Sequence, residues 1–467
     1  MFALWYGAMA SARKIVVVSN RGPYRREGER WVRSAGGLVA ALHPMLSERG
    51  GSWVSAKHAK DFSTVEGEPD VAYDLADVRI DQELQEGFYM GVSNAILWPL
   101  LHGFPATMHV ADAPWQTYVT ANERFAEVTA EVSGDDDLVW IQDYHLMLVP
   151  GMLRKERPRS RIGWFCHVPW PPWSLFGILP WREQLLEGLL GADVIGFHTR
   201  EYVDHFLDSV DRYTGYSVDR VRGTVRLERR TVRVLPAPIG ISVDKLTELS
   251  GAPDVLEKMH TIREQLGGRR VLLGVDRLDY TKGIPERIRA FGRLLDADPS
   301  LRDEVVFLQI MVPSRTDVAA YAELKEHIDQ LVGEINGRHG TTGRVPMQYF
   351  YRNFDQRSLF AHYRAADVAV VTPLRDGMNL VAHEYVISRQ DEDGVLILSE
   401  FAGAAGHLPE ALQVNPYDID GIAQAIRDAL AMPRDEQQRR MQALRTEVQA
   451  LDVHRWADDY LTALEHG

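Results

Sequence analysis

Apolar runs and polar breaks divide the chain into two successive series of alternating strands and helices. The first strand is predicted over 14–19 and ends at Asn20, Arg21 and Gly22. The glycine pair Gly36 and Gly37 then opens a helical run over 38–46. Between about 66 and 128 the pattern is irregular and aromatic, with Phe88, Tyr89, Trp98 and Trp115, and reads as an insertion packed on a sheet. From Leu138 the alternation is regular: strands over 138–142 and 162–167, a helix over 181–190, and strands over 194–198 and 232–235. Pro236, Pro238 and Gly240 punctuate the chain before the pattern restarts at Arg270. Strands over 271–275, 305–310, 347–350, 368–372 and 395–398 follow, with helices over 318–338 and 379–388. An amphipathic helix over 456–464 closes the series.

This is an α/β pattern. It predicts two doubly wound, Rossmann-like domains, 1–240 and 241–450, with a terminal helix in 451–467 crossing back to the first. Two such domains facing each other enclose a cleft between the carboxyl ends of their strands, where doubly wound sheets bind ligands.

A length of 467 residues agrees with two cores rather than one. Acidic residues outnumber basic ones, 66 to 52, for a net charge of -14, which argues against nucleic acid or anionic lipid as a partner and for a small molecule. The single cysteine, Cys166, excludes an intrachain disulfide and a cysteine-rich metal site, as expected in the cytoplasm. Residues 1–12 are apolar but too short to span a bilayer and lack a basic start, so they read as a leader or frayed terminus. A signal peptide with Ala8, Ala10 and Ala12 at its cleavage site is the alternative. No membrane association is expected.

Within this acidic chain, cations gather at predicted strand ends. The stretch VDRLDYTKG, 275–283, occupies a strand-to-helix turn and carries Arg277 and Lys282 beside Gly283. Alone, it reads equally as an anion-binding turn or as an exposed turn with solvated charges. The first series adds Arg21, Asp143 and His167, the second adds Arg315 and the loop 375–380, and this excess of cations points to a ligand with at least two phosphate groups. In that loop Gly377 precedes a helix whose first amides can donate to a phosphate oxygen. Glu384, one turn inside, suits ribose hydroxyls or else is a solvated helix residue. His167 lies at a strand rim or is a core histidine. Cys166 beside it points to the other face, so the two make no dyad. Asp143 and His145 lack a third metal ligand, and no opposed carboxylate pair suggests a glycosidase. A dehydrogenase is disfavoured because no G-x-G-x-x-G turn opens the first domain.

Six strings in order, VVVSNRGP with AGGL, GVSNAILWPLLH, WIQDYHLMLVPGMLR, HVPWPP, VDRLDYTKGIPER and TPLRDGMNLVAHEYV, resemble the trehalose-6-phosphate synthase family of glycosyltransferases, family 20. The likeness runs from about Lys14 to the end of the sequence. It implies a GT-B fold and a retaining, metal-independent transfer of glucose from a nucleotide diphosphate glucose, UDP- or GDP-linked, to glucose 6-phosphate. No further cofactor is implied. Carried over by position, Arg277 and Lys282 hold the donor diphosphate, with Gly36 and Gly37 nearby. The amides of Gly377, Met378, Asn379 and Leu380 assist them, Asp376 binds glucose hydroxyls, Glu384 takes the ribose, and His167 contacts the glucose. On the acceptor side the resemblance implies Arg21 and Arg315 as phosphate clamps, with Tyr89, Trp98 and Asp143 beside them. The catalytic set is then Asp143, His167, Arg277 and Lys282.

Departures bear on the acceptor. Where many members carry a Gly-Trp-Ser-Gly turn, this chain has Ser52, Trp53, Val54, Ser55 and Ala56, then Lys57, His58 and Lys60, read here as a loop. His198, Met311, Val312 and His383 also differ. These changes motivate a second expectation with the same fold and donor: a different phosphorylated acceptor such as glycerol 3-phosphate, or a cyclitol nucleotide as in a pseudo-glycosyltransferase. A silent binding protein is a third, opposed by the presence of Arg277, Lys282, Asp376 and Glu384. A homo-oligomer is compatible with the sequence, which does not specify one.

Overall fold

The protein is described by a computed structural model covering residues 13–27, 30–34, 37–58, 71–111, 113–315 and 319–466. The expectations for residues 1–12, Gly36 and Lys60 lie outside these described residues. The chain divides into two compact units: Met1–Ala237 with Ala457–Gly467, and Pro238–Trp456.

In the first unit the strands are β1 (Ile15–Ser19), a β2–β3 hairpin (Tyr24–Glu27, Arg30–Arg33), β4 (Ser52–His58), β5 (Asp74–Ile80), β6 (Leu138–Gln142), β7 (Arg161–Phe165), β8 (Val194–Phe197), β9 (Ser217–Asp219), β10 (Thr224–Arg226) and β11 (Thr231–Pro236). Outside the hairpin they form one sheet, β5-β4-β1-β6-β7-β8-β11-β10-β9, parallel from β5 to β11 and antiparallel beyond. The central strands are buried along their whole length, as in IVVVS of β1 and LVWIQ of β6, because helices cover both faces of a parallel sheet. Continuous apolar runs are the consequence, and they made these strands visible in the sequence.

Two expectations need correction here. Residues 52–58, read as a loop, are strand β4, paired with both β1 and β5, with Trp53 and Val54 fully buried. The irregular segment is not wholly an insertion, since β5 within it extends the sheet, with its exposed Asp74 and Arg79 hiding the strand pattern. Lys57 and Asp77 pair across β4 and β5 at 2.6 Å.

The second unit carries β12 (Arg270–Arg277), β13 (Val305–Val312), β14 (Met347–Tyr351), β15 (Val368–Val371), β16 (Val395–Ser399) and β17 (Leu412–Val414) in one parallel sheet ordered β14-β13-β12-β15-β16-β17. Counted within the unit this is the order 3-2-1-4-5-6 of a dinucleotide-binding sheet, and the first unit begins with the same reversal around β1 and β6.

The last helix, Val453–His466, sends Tyr460 into the first unit's core, where its ring stacks on Trp140 at 4.5 Å. Its hydroxyl lies 2.9 Å from Trp164 O and 3.1 Å from Val194 O. Gly163 and Gly196 make room, since a Cβ at 196 would lie 2.7 Å from the tyrosine ring. Tyr460→Ala should therefore lose about 3–5 kcal/mol of unfolding free energy through the cavity, and Gly196→Ala about 1–3 kcal/mol through overpacking, both measured by urea denaturation.

Candidate active site

Within the parallel part of each sheet the strand order reverses at one point, between β12 and β15 in the second unit and between β1 and β6 in the first. Connections leave such neighbouring strands toward opposite faces, which opens a crevice at their carboxyl ends. Most of the sequence-predicted residues stand on the loops that follow these strands.

From Arg277, the last residue of β12, the chain passes Asp279, makes a tight turn over Tyr280–Lys282, and enters helix Ile284–Ala297 through Gly283 in the left-handed region at φ 62°. A Cβ at 283 would overlap the carbonyl oxygen of Thr372, so the close approach that requires this glycine is to the end of β15 rather than to a ligand. Leu374 N donates to Thr281 O at 2.7 Å and stitches the two loops together. The Lys282 ammonium donates to Asp376 Oδ2 at 2.6 Å, and Asn379 Nδ2 reaches the same oxygen at 3.0 Å. Asn379, at φ 74°, precedes helix Leu380–Ser388, so Met378 and Asn379 lie just before the helix and Leu380 opens it. Gly377 lies against Gly403, whose amide donates to Asp376 O at 3.1 Å.

Beneath this surface is a buried ion pair that the sequence reading missed. Arg287 donates to Asp276 Oδ2 at 2.6 Å, to Val370 O at 3.1 Å and to Lys282 O at 2.5 Å. Burial pushes the Asp276 carboxyl above its ordinary value, against the pull of Arg287 and Lys282. An acid inside an otherwise apolar strand was the available signal, because such a group needs a partner.

Asp279, fully buried, accepts from Thr281 N at 3.0 Å and Thr281 Oγ1 at 2.9 Å. Burial raises its pKa, but Arg315, Lys282, Arg277 and the Thr281 amide outweigh this and hold it below the ordinary carboxylate value. Arg315 follows β13 at φ 49°. Glu384 is half-buried and accepts from the Tyr363 hydroxyl at 2.8 Å, so it is not a fully solvated helix residue. Burial pushes its carboxyl up to about 7, with the Tyr363 hydrogen bond opposing.

In the first unit Asp143 follows β6 at φ 74° and ψ 170°, a region populated almost only by glycine and costing about 1–3 kcal/mol. Its amide donates to Phe165 O at 2.7 Å, and its Oδ1 accepts from His167 N at 3.3 Å. His167 Nε2 lies 2.9 Å from Gln142 Oε1, and burial together with His198 holds the imidazole neutral, far below its ordinary pKa. Cys166 is buried, as expected of a packing residue. Arg21 donates to Tyr89 OH at 3.0 Å, Tyr89 stacks on His145 at 5.8 Å, and His145 Nδ1 is 3.9 Å from Asp143 Oδ2. Trp98 packs on Tyr144 at 5.9 Å.

Tyr89 and Trp98 are nine positions apart and would fall on opposite sides of an α-helix. Here residues Gln85–Leu97 form a π-helix, with Trp98 N donating to Ser93 O, and the wider turn brings both rings to the Tyr144–His145 corner. The structure thus gathers Arg21, Tyr89, Trp98, Asp143 and His167 in one unit, and Arg277, Lys282, Arg315, Asp376 to Leu380 and Glu384 at the carboxyl edge of the other. Gly37 begins helix Gly37–Arg49. Besides Asp276, Asp279 and Arg287, the sequence reading had not assigned His145, Tyr321 or Tyr363.

The model of the family described as "Glycosyltransferase family 20" matches residues 13–466. The chain belongs to glycosyltransferase family 20. It is 43% identical over 465 residues to a trehalose-6-phosphate synthase of Mycobacterium avium, covering 96% of this chain and 94% of that one. It is also 43% identical to a bifunctional trehalose-6-phosphate synthase/phosphatase of Thermoproteus tenax, where 97% of this chain spans only 63% of the longer protein. Among solved structures, an α,α-trehalose-phosphate synthase (UDP-forming) from Burkholderia xenovorans in complex with glucose-6-phosphate aligns at 34% identity and TM-score 0.88, covering 97% of this chain and all of that one. An E. coli structure bound with UDP-2-fluoro glucose aligns at 33% identity and TM-score 0.90, covering 97% and 99%. This family 20 chain is thus a glycosyltransferase of the GT-B class, as its motifs had suggested. Among the described residues no helix is long and apolar enough to cross a membrane.

Glu384 gives this site a pH signature. Its folded pKa of about 7 exceeds its ordinary 4.5, so between these values the folded chain binds the extra proton and stability falls as pH rises, levelling off above about 7. Glu384→Gln should accordingly be more stable than the native protein by about 1–3 kcal/mol near pH 8, allowing for partial exposure. The difference should shrink as the pH is lowered toward about 5 in paired urea melts.

Proposed function

We propose that this glycosyltransferase moves glucose from UDP- or GDP-glucose to glucose 6-phosphate with retention, forming α,α-trehalose 6-phosphate. The observation that carries the proposal is the 2.6 Å pairing of Lys282 with Asp376 at the switch point of the second sheet. It sets a cation suited to a leaving diphosphate beside a carboxylate suited to sugar hydroxyls. Relatives of nearly equal length that are trehalose-6-phosphate synthases support the same reading.

In this scheme Lys282 and Arg277 neutralise the diphosphate as the bond from glucose C1 to its phosphate oxygen breaks. The amides around Gly377, Met378, Asn379 and Leu380 add to that stabilisation, and Gly36 and Gly37 belong to the same diphosphate set. Asp376 orients glucose hydroxyls and Glu384 accepts from ribose hydroxyls. Neutral His167, positioned by Gln142 and Asp143, contacts the glucose. Arg21 and Arg315 bind the acceptor phosphate, with Tyr89, Trp98 and Asp143 on the acceptor sugar. The acceptor hydroxyl forms its bond to C1 on the face the diphosphate leaves, and the departing phosphate oxygen takes its proton. No protein nucleophile is then needed, and no step calls on a metal ion.

Two measurements test this. Release of nucleoside diphosphate from UDP-glucose and GDP-glucose should require glucose 6-phosphate, with an α,α-linked product by NMR. Release driven instead by glycerol 3-phosphate would move the acceptor to another phosphorylated polyol. Lys282→Ala should lower kcat/KM by about 2–4 kcal/mol of transition-state stabilisation with an unchanged circular dichroism spectrum, whereas native turnover would remove Lys282 from the diphosphate site.

A further inference from the structure

Arg315 is held by a chain of buried polar groups that leads back to the Lys282 turn. Its Nη1 lies 2.6 Å from the Tyr321 hydroxyl, and that hydroxyl donates to Asp279 Oδ2 at 3.1 Å. The other carboxylate oxygen of Asp279 accepts from the amide and hydroxyl of Thr281, inside the turn Tyr280–Lys282. Tyr321 is 3% exposed, the Arg315 side chain 7% and Asp279 0%.

The chemistry of the middle group fixes its direction. A phenol has one proton, and here it goes to the carboxylate, so its oxygen faces the guanidinium as an acceptor. Asp279 Oδ2 stands 3.9 Å from Arg315 Nη1, beyond direct hydrogen bonding, and Tyr321 bridges the gap. The Tyr280 and Tyr321 rings pack edge to face, with centroids 5.7 Å apart. Arg315 itself sits at φ 49°, a conformation uncommon for a non-glycine residue. One buried carboxylate thus organises two things at once: the turn that presents Lys282, and the side chain of Arg315.

We propose that Tyr321 is a positioning residue that relays Asp279 to Arg315 and sets the guanidinium for the acceptor phosphate. The inference rests on the reading of Arg315 as a clamp on that phosphate. Removing the phenolic hydroxyl leaves the Arg315 charge in place but without its bridge to the turn, so recognition of the acceptor weakens while donor binding holds. Asp279 has a wider role, because its loss also releases the Thr281 amide and with it the Lys282 turn.

The test is a kinetic cycle on the full chain with Tyr321→Phe, Arg315→Ala, the double variant and Asp279→Asn. Glucose 6-phosphate is varied at saturating nucleotide glucose and the reverse, and nucleoside diphosphate affinity is measured by calorimetry. Tyr321→Phe is expected to raise KM for glucose 6-phosphate on the order of ten-fold, with donor KM and nucleoside diphosphate affinity within about two-fold. In the Arg315→Ala background the same change should add nothing, since two residues acting through one contact are not additive. Asp279→Asn should raise both KM values. If Arg315→Ala raises the acceptor KM and Tyr321→Phe does not, the relay is overturned while the clamp stands. If Tyr321→Phe weakens donor and acceptor alike, its role is general packing and the proposal fails. If Arg315→Ala leaves the acceptor KM unchanged, the clamp reading itself falls and the relay falls with it.

Discussion

The buried Arg287–Asp276 pair is the constraint on which the second unit's site depends. One guanidinium binds a side chain of β12, a carbonyl of β15 and the carbonyl of Lys282, so the two strands at the switch point and the turn above them are fixed by a single group. Charges this deep are costly to desolvate, and the three contacts of the two Nη atoms offset that cost although the buried Nε has no hydrogen-bond partner. Gly274 belongs to the same device, since a Cβ there would lie 2.8 Å from Arg287 Nη1 and overlap the Gln309 side chain. The Lys282 turn is therefore anchored from below by electrostatics and from the side by the Gly283–Thr372 approach.

The first unit holds its loops by other means. Its site is framed by rings: Tyr89 on His145, Tyr144 against His145 at 4.0 Å, and Trp98 on His102 at 4.1 Å. Aromatic contact is less sensitive to charge than an ion pair, and it leaves Arg21 at the surface with a defined neighbour in Tyr89. A neutral His167 fits that environment, where burial and the neighbouring His198 both disfavour a charged imidazole.

What could be read from the sequence follows from these physical differences. Strands buried on both faces, such as β1, β6 and β12, are unbroken apolar runs and stand out. An edge strand such as β5, with exposed Asp74 and Arg79, does not, and β4 ends in Lys57 and His58, which read as loop. The π-helix was illegible because its turn matches neither the strand nor the α-helix period, so Phe88, Tyr89 and Trp98 looked unordered. Cations at strand ends were legible as chemistry. The groups that hold them, Asp276, Asp279, Arg287 and Tyr321, were not, because a supporting role is set by contacts between distant positions and leaves only an isolated polar residue in an apolar stretch.

The backbone at Asp143 carries a consequence for how this sequence can change. A carboxylate is kept in a conformation suited to glycine, so the backbone and the side-chain contact to His167 N prefer different residues at one position. Asp143→Gly would relieve that backbone cost and, in the same step, remove the carboxylate oxygen that accepts from His167 N. A single step at this position would thus ease the backbone while unfastening the loop that carries His167, with both sheets left as they are.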